Sequence, residues 1–317
     1  MSVYRLLFTV FFIFTLYNFF IFTFFLNFAA KVKKMNGGIA YTINVGGQLL
    51  DLSSPCVMGI LNITPDSFYT SVSPDTSSLD ETIIAHVGKM LSEGATIIDV
   101  GACSTRPSSE PVSAATERDR LAPVLDIIRR TFPECVLSVD TFRPDIAAWC
   151  INEFGVHIIN DISGGCDDMF NIVAKYGVPY ILTFNEERNP AIDVCQQTLL
   201  FFAHKVQQLR DRGAKDFILD PGFGFNKTLD ENYEILHHLD ALQILELPVL
   251  VGVSHKSMIY RLLNLSPSEC LNGTTVLHTL SLQKGARILR VHEVKEAMEC
   301  ITILNKTNMA NVANHNL

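Results

Sequence analysis

The 317-residue chain lacks several features that would assign it to common protein classes. None of its eight cysteines lies in a C-x-x-C pair, so the sequence predicts neither a zinc knuckle nor a redox motif. Its 25 basic residues are outnumbered by 33 acidic ones, and the net charge is −8, whereas nucleic-acid binders carry a basic surface. An anionic small molecule stays compatible with this balance, because a few local arginines and lysines suffice to make a positive pocket.

Charge is absent from a long apolar segment, Leu6 to Ala30, which is long enough to span a bilayer. As a membrane anchor, with Arg5 before it and three lysines directly after it, the segment would leave the rest of the chain in the cytoplasm. A cleaved signal peptide fits less well, because the stretch is overlong. The start codon is alternatively assigned too far upstream, with Met35 the true initiator. We therefore expect a hydrophobic segment at 1–34 and one globular domain at 35–317.

The cysteines are expected to be free thiols in a reducing cytoplasm.

After a predicted β-hairpin around Gly46 and Gly47, eight short apolar runs alternate with amphipathic segments. The runs, typical of parallel strands covered on both faces, are Cys56–Leu61, Thr96–Val100, Cys135–Val139, Val156–Ile159, Val178–Leu182, Phe217–Leu219, Val249–Val253 and Ile288–Val291. Helices are predicted at Leu79–Glu93, Thr116–Thr131, Leu199–Arg212, Asn232–Leu245, Gly273–Lys284 and Glu293–Leu304. This alternation predicts a (β/α)8 TIM barrel with an N-terminal β-hairpin. A doubly wound sheet is disfavoured, because it usually has fewer strands and a glycine-rich turn after the first one, where none is found.

Polar side chains follow seven of the eight predicted strands. In a barrel the carboxyl ends of the strands meet at one rim, where active sites lie. The residues expected to converge there are Asp140, Asn160, Asp220, Lys256, Arg290 and His292. Each alone has an ordinary explanation, since Asp140 could cap a helix and Asp220 could shape a turn. Together they are costly to bury unless a ligand or mutual pairing satisfies them, which favours a site for a flat heterocycle and an anion.

The motifs at these strand ends occur in the order, and nearly at the spacing, of one enzyme family. They are Met58-Gly-Ile-Leu-Asn-Ile-Thr-Pro-Asp-Ser-Phe68, Ser104-Thr-Arg-Pro107, Ser138-Val-Asp-Thr141, Ile158-Ile-Asn-Asp-Ile162, Leu219-Asp-Pro-Gly-Phe-Gly-Phe225, Ser254-His-Lys-Ser257 and Arg290-Val-His292. From about Val57 to Val294 the chain resembles dihydropteroate synthase, a transferase of the pterin-binding barrel class. The resemblance implies condensation of 6-hydroxymethyl-7,8-dihydropterin pyrophosphate with p-aminobenzoate, giving 7,8-dihydropteroate and pyrophosphate in folate biosynthesis.

The resemblance also implies a role for each matching residue. Pterin contacts are expected from Asp140, Asn160, Asp220, Lys256 and Phe225, of which Asp140, Asp220 and Lys256 are the expected catalytic residues. Pyrophosphate is expected to bind Asn62, Arg106, Arg290 and His292, with Asn62 as a ligand of Mg²⁺. The p-aminobenzoate slot is expected to involve Phe68, Thr105, Pro107, Ser257 and His255. A homodimer and a sulfonamide target are further implications. No nucleic acid is expected, and a membrane only if the N-terminal segment is an anchor.

The sequence departs from the family pattern in places. Most pointedly, His255 stands where the family usually has Arg, and Thr183-Phe-Asn185 stands where strand 5 normally ends in Met-His-Met. The change at His255 concerns the second substrate more than the pterin. Two alternatives follow: a divergent pterin-binding paralogue with weak or no synthase activity, and a pterin-dependent methyltransferase. The methyltransferase would not need the Ser-x-Lys and Arg-x-His elements that are present here.

Overall fold

The computed structural model of the chain describes residues 41–63, 79–102 and 112–314. The apolar N-terminal segment and four predicted site residues, Phe68, Thr105, Arg106 and Pro107, lie outside these ranges. Within the described ranges, none of the helices has the length and hydropathy needed to cross a bilayer.

The predicted hairpin is formed by β1 (Thr42–Val45) and β2 (Gln48–Asp51), which pair antiparallel. Gly46 and Gly47 both have positive φ, as a tight hairpin turn requires. The backbone N–H of Asn44 donates to the Asp216 carboxylate, which directly precedes a barrel strand. The hairpin therefore lies at the amino ends of the strands, opposite the rim that was predicted to carry the site.

Eight parallel strands form the barrel. They are β3 (Cys56–Asn62), β4 (Ile97–Gly101), β5 (Val136–Asp140), β6 (Ile158–Asp161), β7 (Tyr180–Thr183), β8 (Phe217–Asp220), β9 (Leu250–Val251) and β10 (Ile288–Val291). Strands β3 to β8 pair in chain order, and β10 pairs with both β3 and β9. A bridge between Leu219 and Val249 joins β8 to the residue before β9 and closes the ring. The predicted (β/α)8 barrel is confirmed.

The helices pack around this ring. They are α1 (Leu79–Ser92), α2 (Ala114–Thr131), α3 (Pro144–Phe154), α4 (Asp167–Tyr176), α5 (Val194–Asp211), α6 (Leu229–His237), α7 (Ser257–Leu263), α8 (Leu271–Gln283) and α9 (Val294–Asn314), with 3-10 turns at Leu239–Leu245 and Pro267–Glu269. The strands are buried on both faces, and large side chains such as Phe170, Phe184 and Phe202 fill the space around them. Each such side chain stabilises the fold by roughly 1.5–3 kcal/mol.

Three predicted helices have bounds that differ by more than two residues. Helix α9 extends to Asn314 rather than ending at Leu304. Helix α5 begins at Val194 rather than at Leu199, because the Asp193 carboxylate caps it by accepting from the backbone N–H of Gln196. The segment predicted as one helix over Asn232–Leu245 is an α-helix that ends at His237, followed by a 3-10 turn.

Candidate active site

Four residues lie side by side at the carboxyl ends of strands β3 to β6. The register pairs Asn62 with Gly101, Gly101 with Asp140, and Asp140 with Asn160. A Cβ on Gly101 would lie 3.4 Å from both Asn62 Oδ1 and Asp140 Cβ, so the missing side chain leaves room between them. The barrel thus brings together three of the predicted site residues that are far apart in the sequence.

Arg290, on β10, is held by two carboxylates. Its Nε donates to Asp99 Oδ2 at 2.7 Å, and its Nη2 donates to Asp140 Oδ2 at 2.8 Å. Burial by itself lowers the pKa of Arg290, but the charges of Asp99 and Asp140 outweigh it, and the pKa is raised. The guanidinium is therefore a permanent cation at the centre of the barrel mouth.

Asp99 is a residue of this site that the sequence reasoning did not assign. It is fully buried and accepts hydrogen bonds from Ser138 Oγ at 2.6 Å, Asn160 Nδ2 at 3.0 Å and Arg290. Asp99 therefore orients two side chains that were predicted to bind ligands, those of Asn160 and Arg290. The signal available in the sequence was a carboxylate inside an otherwise apolar strand, which is costly unless it is paired.

Asn160 has an acceptor without a partner. Its amide nitrogen is used by Asp99, and its Oδ1 is buried with no hydrogen-bond partner within the described part of the chain. A buried carbonyl oxygen without a donor costs about 1–3 kcal/mol. A bound ligand with an N–H group would remove that cost.

Asp220 and Lys256 face each other across the mouth from β8 and the start of α7. Asp220 Oδ1 accepts from the backbone N–H of Gly222, and burial raises the pKa of the carboxyl while the charge of Lys256 opposes that shift. The Lys256 ammonium donates to the Phe223 carbonyl and lies 4.5 Å from the ring centroid of Phe225. Burial lowers the pKa of Lys256 to about 8, although Asp220 opposes the shift.

Asp140 also holds its proton more readily than an exposed carboxyl. Burial raises its pKa, Arg290 lowers it, and the neighbouring charge of Asp99 raises it again, so that the net shift is upward. A ligand that donates N–H bonds to the carboxylates would favour their ionised form. The mouth is thus suited to a ligand with several donors along one edge.

Lys227 is a second cation near Asp220 that had no assigned role. Its Nζ donates to three backbone carbonyls, those of Phe184, Gly222 and Phe225, at 2.9–3.0 Å. Burial lowers its pKa to about 7, but three acceptors require all three hydrogens of the ammonium. Lys227 therefore fixes the backbone turn that carries Asp220.

The predicted anion ligand His292 lies beside the end of β9. Its Nδ1 is 3.1 Å from Ser254 Oγ, which in turn donates to Glu293 Oε2 at 3.2 Å. His255, predicted to line the second-substrate slot, has both ring nitrogens in hydrogen-bond contact, with Pro267 O and Glu293 Oε1. Ser257 follows as the first residue of α7.

Helix capping does not explain the placement of Asp140. Helix α3 begins after Arg143, whose side chain forms no cap hydrogen bond. Arg143 instead donates to the buried Glu117 and to the carbonyl of Val112. Arg120 donates to the carbonyl of Ala102 at 2.9 Å. Arginines thus contact the last described residue before position 103 and the first described residue after position 111.

An eight-stranded barrel with paired carboxylates, an amide and two cations at the carboxyl ends of its strands defines an α/β-barrel enzyme for a polar heterocycle. The pterin binding enzyme family matches residues 58–292. The dihydropteroate synthase of Escherichia coli K12 is 40% identical over 272 residues, covering 82% of this chain and 94% of that protein. The chain belongs to the dihydropteroate synthase family of pterin-binding enzymes.

Solved structures agree. Yersinia pestis dihydropteroate synthase, in complex with a sulfonamide drug, superposes with a TM-score of 0.77 at 38% identity, covering 85% of this chain and 100% of that one. The Xanthomonas albilineans enzyme with 4-aminobenzoic acid has a TM-score of 0.77 at 32% identity, covering 84% and 98%.

Proposed function

We propose that this chain is a dihydropteroate synthase that joins 6-hydroxymethyl-7,8-dihydropterin pyrophosphate to p-aminobenzoate and releases pyrophosphate. The observation that supports this proposal most directly is a set of buried hydrogen-bond acceptors at the mouth of the barrel, opposite the Lys256 ammonium. These acceptors are Asp140, Asn160 Oδ1 and Asp220. A pterin presents N–H donors along its aminopyrimidinone edge and acceptors elsewhere on the ring. This set of residues satisfies both kinds of group.

The reaction needs stabilisation of charge more than a protein nucleophile. Departure of pyrophosphate leaves positive charge on the pterin methylene carbon, which the amine of p-aminobenzoate then attacks. The carboxylates of Asp140 and Asp220 would stabilise that cation, and Lys256 would orient the ring. These are the proposed catalytic residues.

The leaving anion is assigned to the opposite side of the mouth. His292 and Arg290 would hold pyrophosphate, with Arg106 from its loop. Arg290 uses two of its five N–H donors on Asp99 and Asp140, so donors remain on the guanidinium for the anion beside His292.

Mg²⁺ is a proposed cofactor, and Asn62 is a suitable protein ligand for it. The Asn62 amide oxygen lies over the space left open by Gly101, beside Asp140 at the rim. An amide oxygen is a hard ligand of the kind Mg²⁺ takes, and the ion needs few protein ligands when phosphate oxygens supply others. When bound, the ion would neutralise charge on the leaving pyrophosphate.

The p-aminobenzoate slot is assigned, as a proposal, to Phe68, Thr105, Pro107, His255 and Ser257. The Xanthomonas structure with 4-aminobenzoic acid supports this second substrate. The Yersinia complex with a sulfonamide drug supports the proposal that this chain is a sulfonamide target.

The test is a pyrophosphate-release assay on the purified chain. We expect release only when both the pterin pyrophosphate and p-aminobenzoate are supplied, and loss of release in Asp220→Asn. Pterin binding without product at saturating p-aminobenzoate would instead support the binding-only paralogue. Transfer of a methyl group to a pterin would support the methyltransferase.

We also propose a cytoplasmic homodimer. The seven cysteines in the described ranges are all free thiols, as expected in a reducing compartment. Exposed apolar side chains are concentrated on α7 to α9 and the turn between α7 and α8, namely Leu262, Leu263, Leu265, Leu271, Val276, Leu280 and Ile303. Such a concentration is typical of a protein–protein interface.

A further inference from the structure

Thr183 is a buried polar residue that the proposed mechanism does not use. Its side chain is fully enclosed, and its hydroxyl oxygen has no hydrogen-bond partner within the described part of the chain. A buried hydroxyl without a partner is destabilising, so native proteins contain few of them. Thr183 ends β7, where the family pattern has a methionine, which carries no hydroxyl. The unpartnered group is therefore a property of this chain rather than of the family pattern.

The buried side-chain atoms that lack a partner among the described residues fall into two groups. The ring nitrogens of His278 belong to helix α8, and Nε of Arg287 belongs to the residue before β10. Asn160 Oδ1 and Thr183 Oγ1 belong instead to the carboxyl ends of β6 and β7, which are neighbouring strands. The mouth of the barrel thus carries an amide oxygen and a hydroxyl that both need a partner.

Thr183 points to the inside of the barrel. Tyr180 and Leu182 pack outward, where the Tyr180 ring contacts Phe170 of α4 at a centroid distance of 5.8 Å. Since side chains alternate along a strand, Thr183 points the other way. A Cβ on Gly222 would lie 3.0 Å from Thr183 Cγ2, so the methyl group of Thr183 faces the Gly222 turn and its hydroxyl branches away from that turn.

The neighbours of Thr183 indicate which kind of ligand group its hydroxyl would meet. Asp220 on β8 is its partner in the strand register, and Asn160 lies on β6 at the other side. Both neighbours offer acceptors, the carboxylate of Asp220 and the unpartnered Oδ1 of Asn160. A ligand edge that satisfies them carries hydrogens, and a hydroxyl between them can accept one. On an aminopyrimidinone edge, the group with more than one hydrogen is the exocyclic amine.

We propose that Thr183 is a specificity-determining residue whose hydroxyl accepts a hydrogen bond from the exocyclic amine of the bound pterin. The inference rests on the proposed function, because it requires a pterin in this site. The contact gives the buried hydroxyl a partner only when the ligand carries the amine. Thr183 therefore adds to the preference for amine-bearing ligands that Asp220 and Asn160 already provide.

The main test compares two ligands by titration calorimetry. They are 6-hydroxymethylpterin and 6-hydroxymethylpteridin-4(3H)-one, in which hydrogen replaces the 2-amino group. Thr183→Val keeps the shape of the side chain and removes the hydroxyl, so it should weaken binding of 6-hydroxymethylpterin about five- to tenfold. The ligand without the amine has no such hydrogen bond to lose, so its affinity should change by less than about twofold. Thr183→Ser keeps the hydroxyl and should bind 6-hydroxymethylpterin within about threefold of wild type.

Thr198→Val on α5 is the matched control. Thr198 is also buried, but its hydroxyl donates to the carbonyl of Val194, within the same helix. This variant should bind both ligands as wild type does.

Thermal unfolding distinguishes a lost contact from a damaged fold. Without ligand, Thr183→Val should melt no lower than wild type, because the hydroxyl that it removes has no protein partner among the described residues. Saturating 6-hydroxymethylpterin should raise the melting temperature of wild type by more than that of the variant. A lower melting temperature of the unliganded variant would show that the hydroxyl already has a partner, which overturns the proposal.

Equal affinities of wild type and Thr183→Val for 6-hydroxymethylpterin also overturn it. So does an equal loss for both ligands, since the effect would then come from packing rather than from the amine. These results leave the proposed function intact where wild type still releases pyrophosphate with both substrates. Wild type that binds no pterin and releases no pyrophosphate overturns the proposed function itself, and the Thr183 contact with it.

Discussion

Arg290 Nη2 lies 2.8 Å from Asp140 Oδ2, so the cation expected to bind pyrophosphate is already paired with a carboxylate expected to bind the pterin. Arg290 also pairs with a second carboxylate, that of Asp99, which is buried. The pterin side and the anion side of the site therefore share one set of ion pairs. A change in Asp99 or Asp140 is therefore transmitted to the anion side through the guanidinium.

The first prediction concerns Asp99→Asn. The change removes a buried negative charge that Arg290, Asn160 and Ser138 contact, so the free energy of unfolding should fall by about 2–3 kcal/mol. We also expect kcat/KM to fall at least tenfold, because Arg290 and Asn160 lose their common anchor. Urea unfolding and steady-state kinetics measure both. The control is Asp126→Asn, an exposed partner of Arg130, which should cost no more than about 0.5 kcal/mol. Similar losses in both variants would show that Asp99 is not the anchor.

The second prediction concerns the unpartnered oxygen of Asn160. Asn160→Ala should weaken binding of 6-hydroxymethylpterin by about tenfold, since one hydrogen bond to a buried acceptor is lost. Binding of inorganic pyrophosphate should change by less than twofold. Asn152→Ala, which removes an exposed hydrogen bond to Tyr176 on the outer helices, is the matched control. Unchanged pterin affinity in Asn160→Ala would remove this residue from the ligand contacts.

The third prediction concerns pH. Since burial lowers the pKa of Lys256 to about 8, the ammonium is present below that pH and is lost above it. Pterin affinity should therefore fall roughly tenfold per pH unit above about pH 8. Lys256→Arg keeps its charge throughout, so its affinity, although lower, should show no such fall. A parallel fall in both proteins would assign the titration to another group.

The fourth prediction tests the assembly. If α7 to α9 form the dimer interface, Val276→Glu should convert a dimer into a monomer of 35.3 kDa in light scattering, because an unpaired carboxylate would be buried. Leu49→Glu, at a more exposed apolar position on the hairpin, should stay dimeric. A wild-type protein that is monomeric at micromolar concentration would contradict the proposal directly.

The fold was predictable because continuous apolar runs and their spacing are local properties of the sequence. The site was predictable as a set of residues but not as a set of pairs. Arg290 was expected to bind an anion from a ligand, but its partners Asp99 and Asp140 lie 191 and 150 positions away in the chain, and only the strand register brings them together. Short helices such as α3, whose 11 residues make about three turns, were not individually predicted, because so few turns give little periodicity.

The fifth prediction concerns the turn after Asp220. Gly222 has φ of +67°, and a Cβ there would lie 2.3 Å from the carbonyl oxygen of Phe184, which is backbone and has little room to move. Gly213 has φ of +88°, but a Cβ there would meet nothing within 4 Å. Gly213→Ala should therefore cost only the strain of a left-handed alanine, about 1–2 kcal/mol. Gly222→Ala should cost at least twice as much, and it should also displace the N–H that Asp220 accepts, lowering pterin affinity. Thermal unfolding and pterin titration measure the two effects. An equal loss of stability in the two alanine variants would show that the turn relaxes to accept the Cβ. Gly222 would then be needed only for its positive φ.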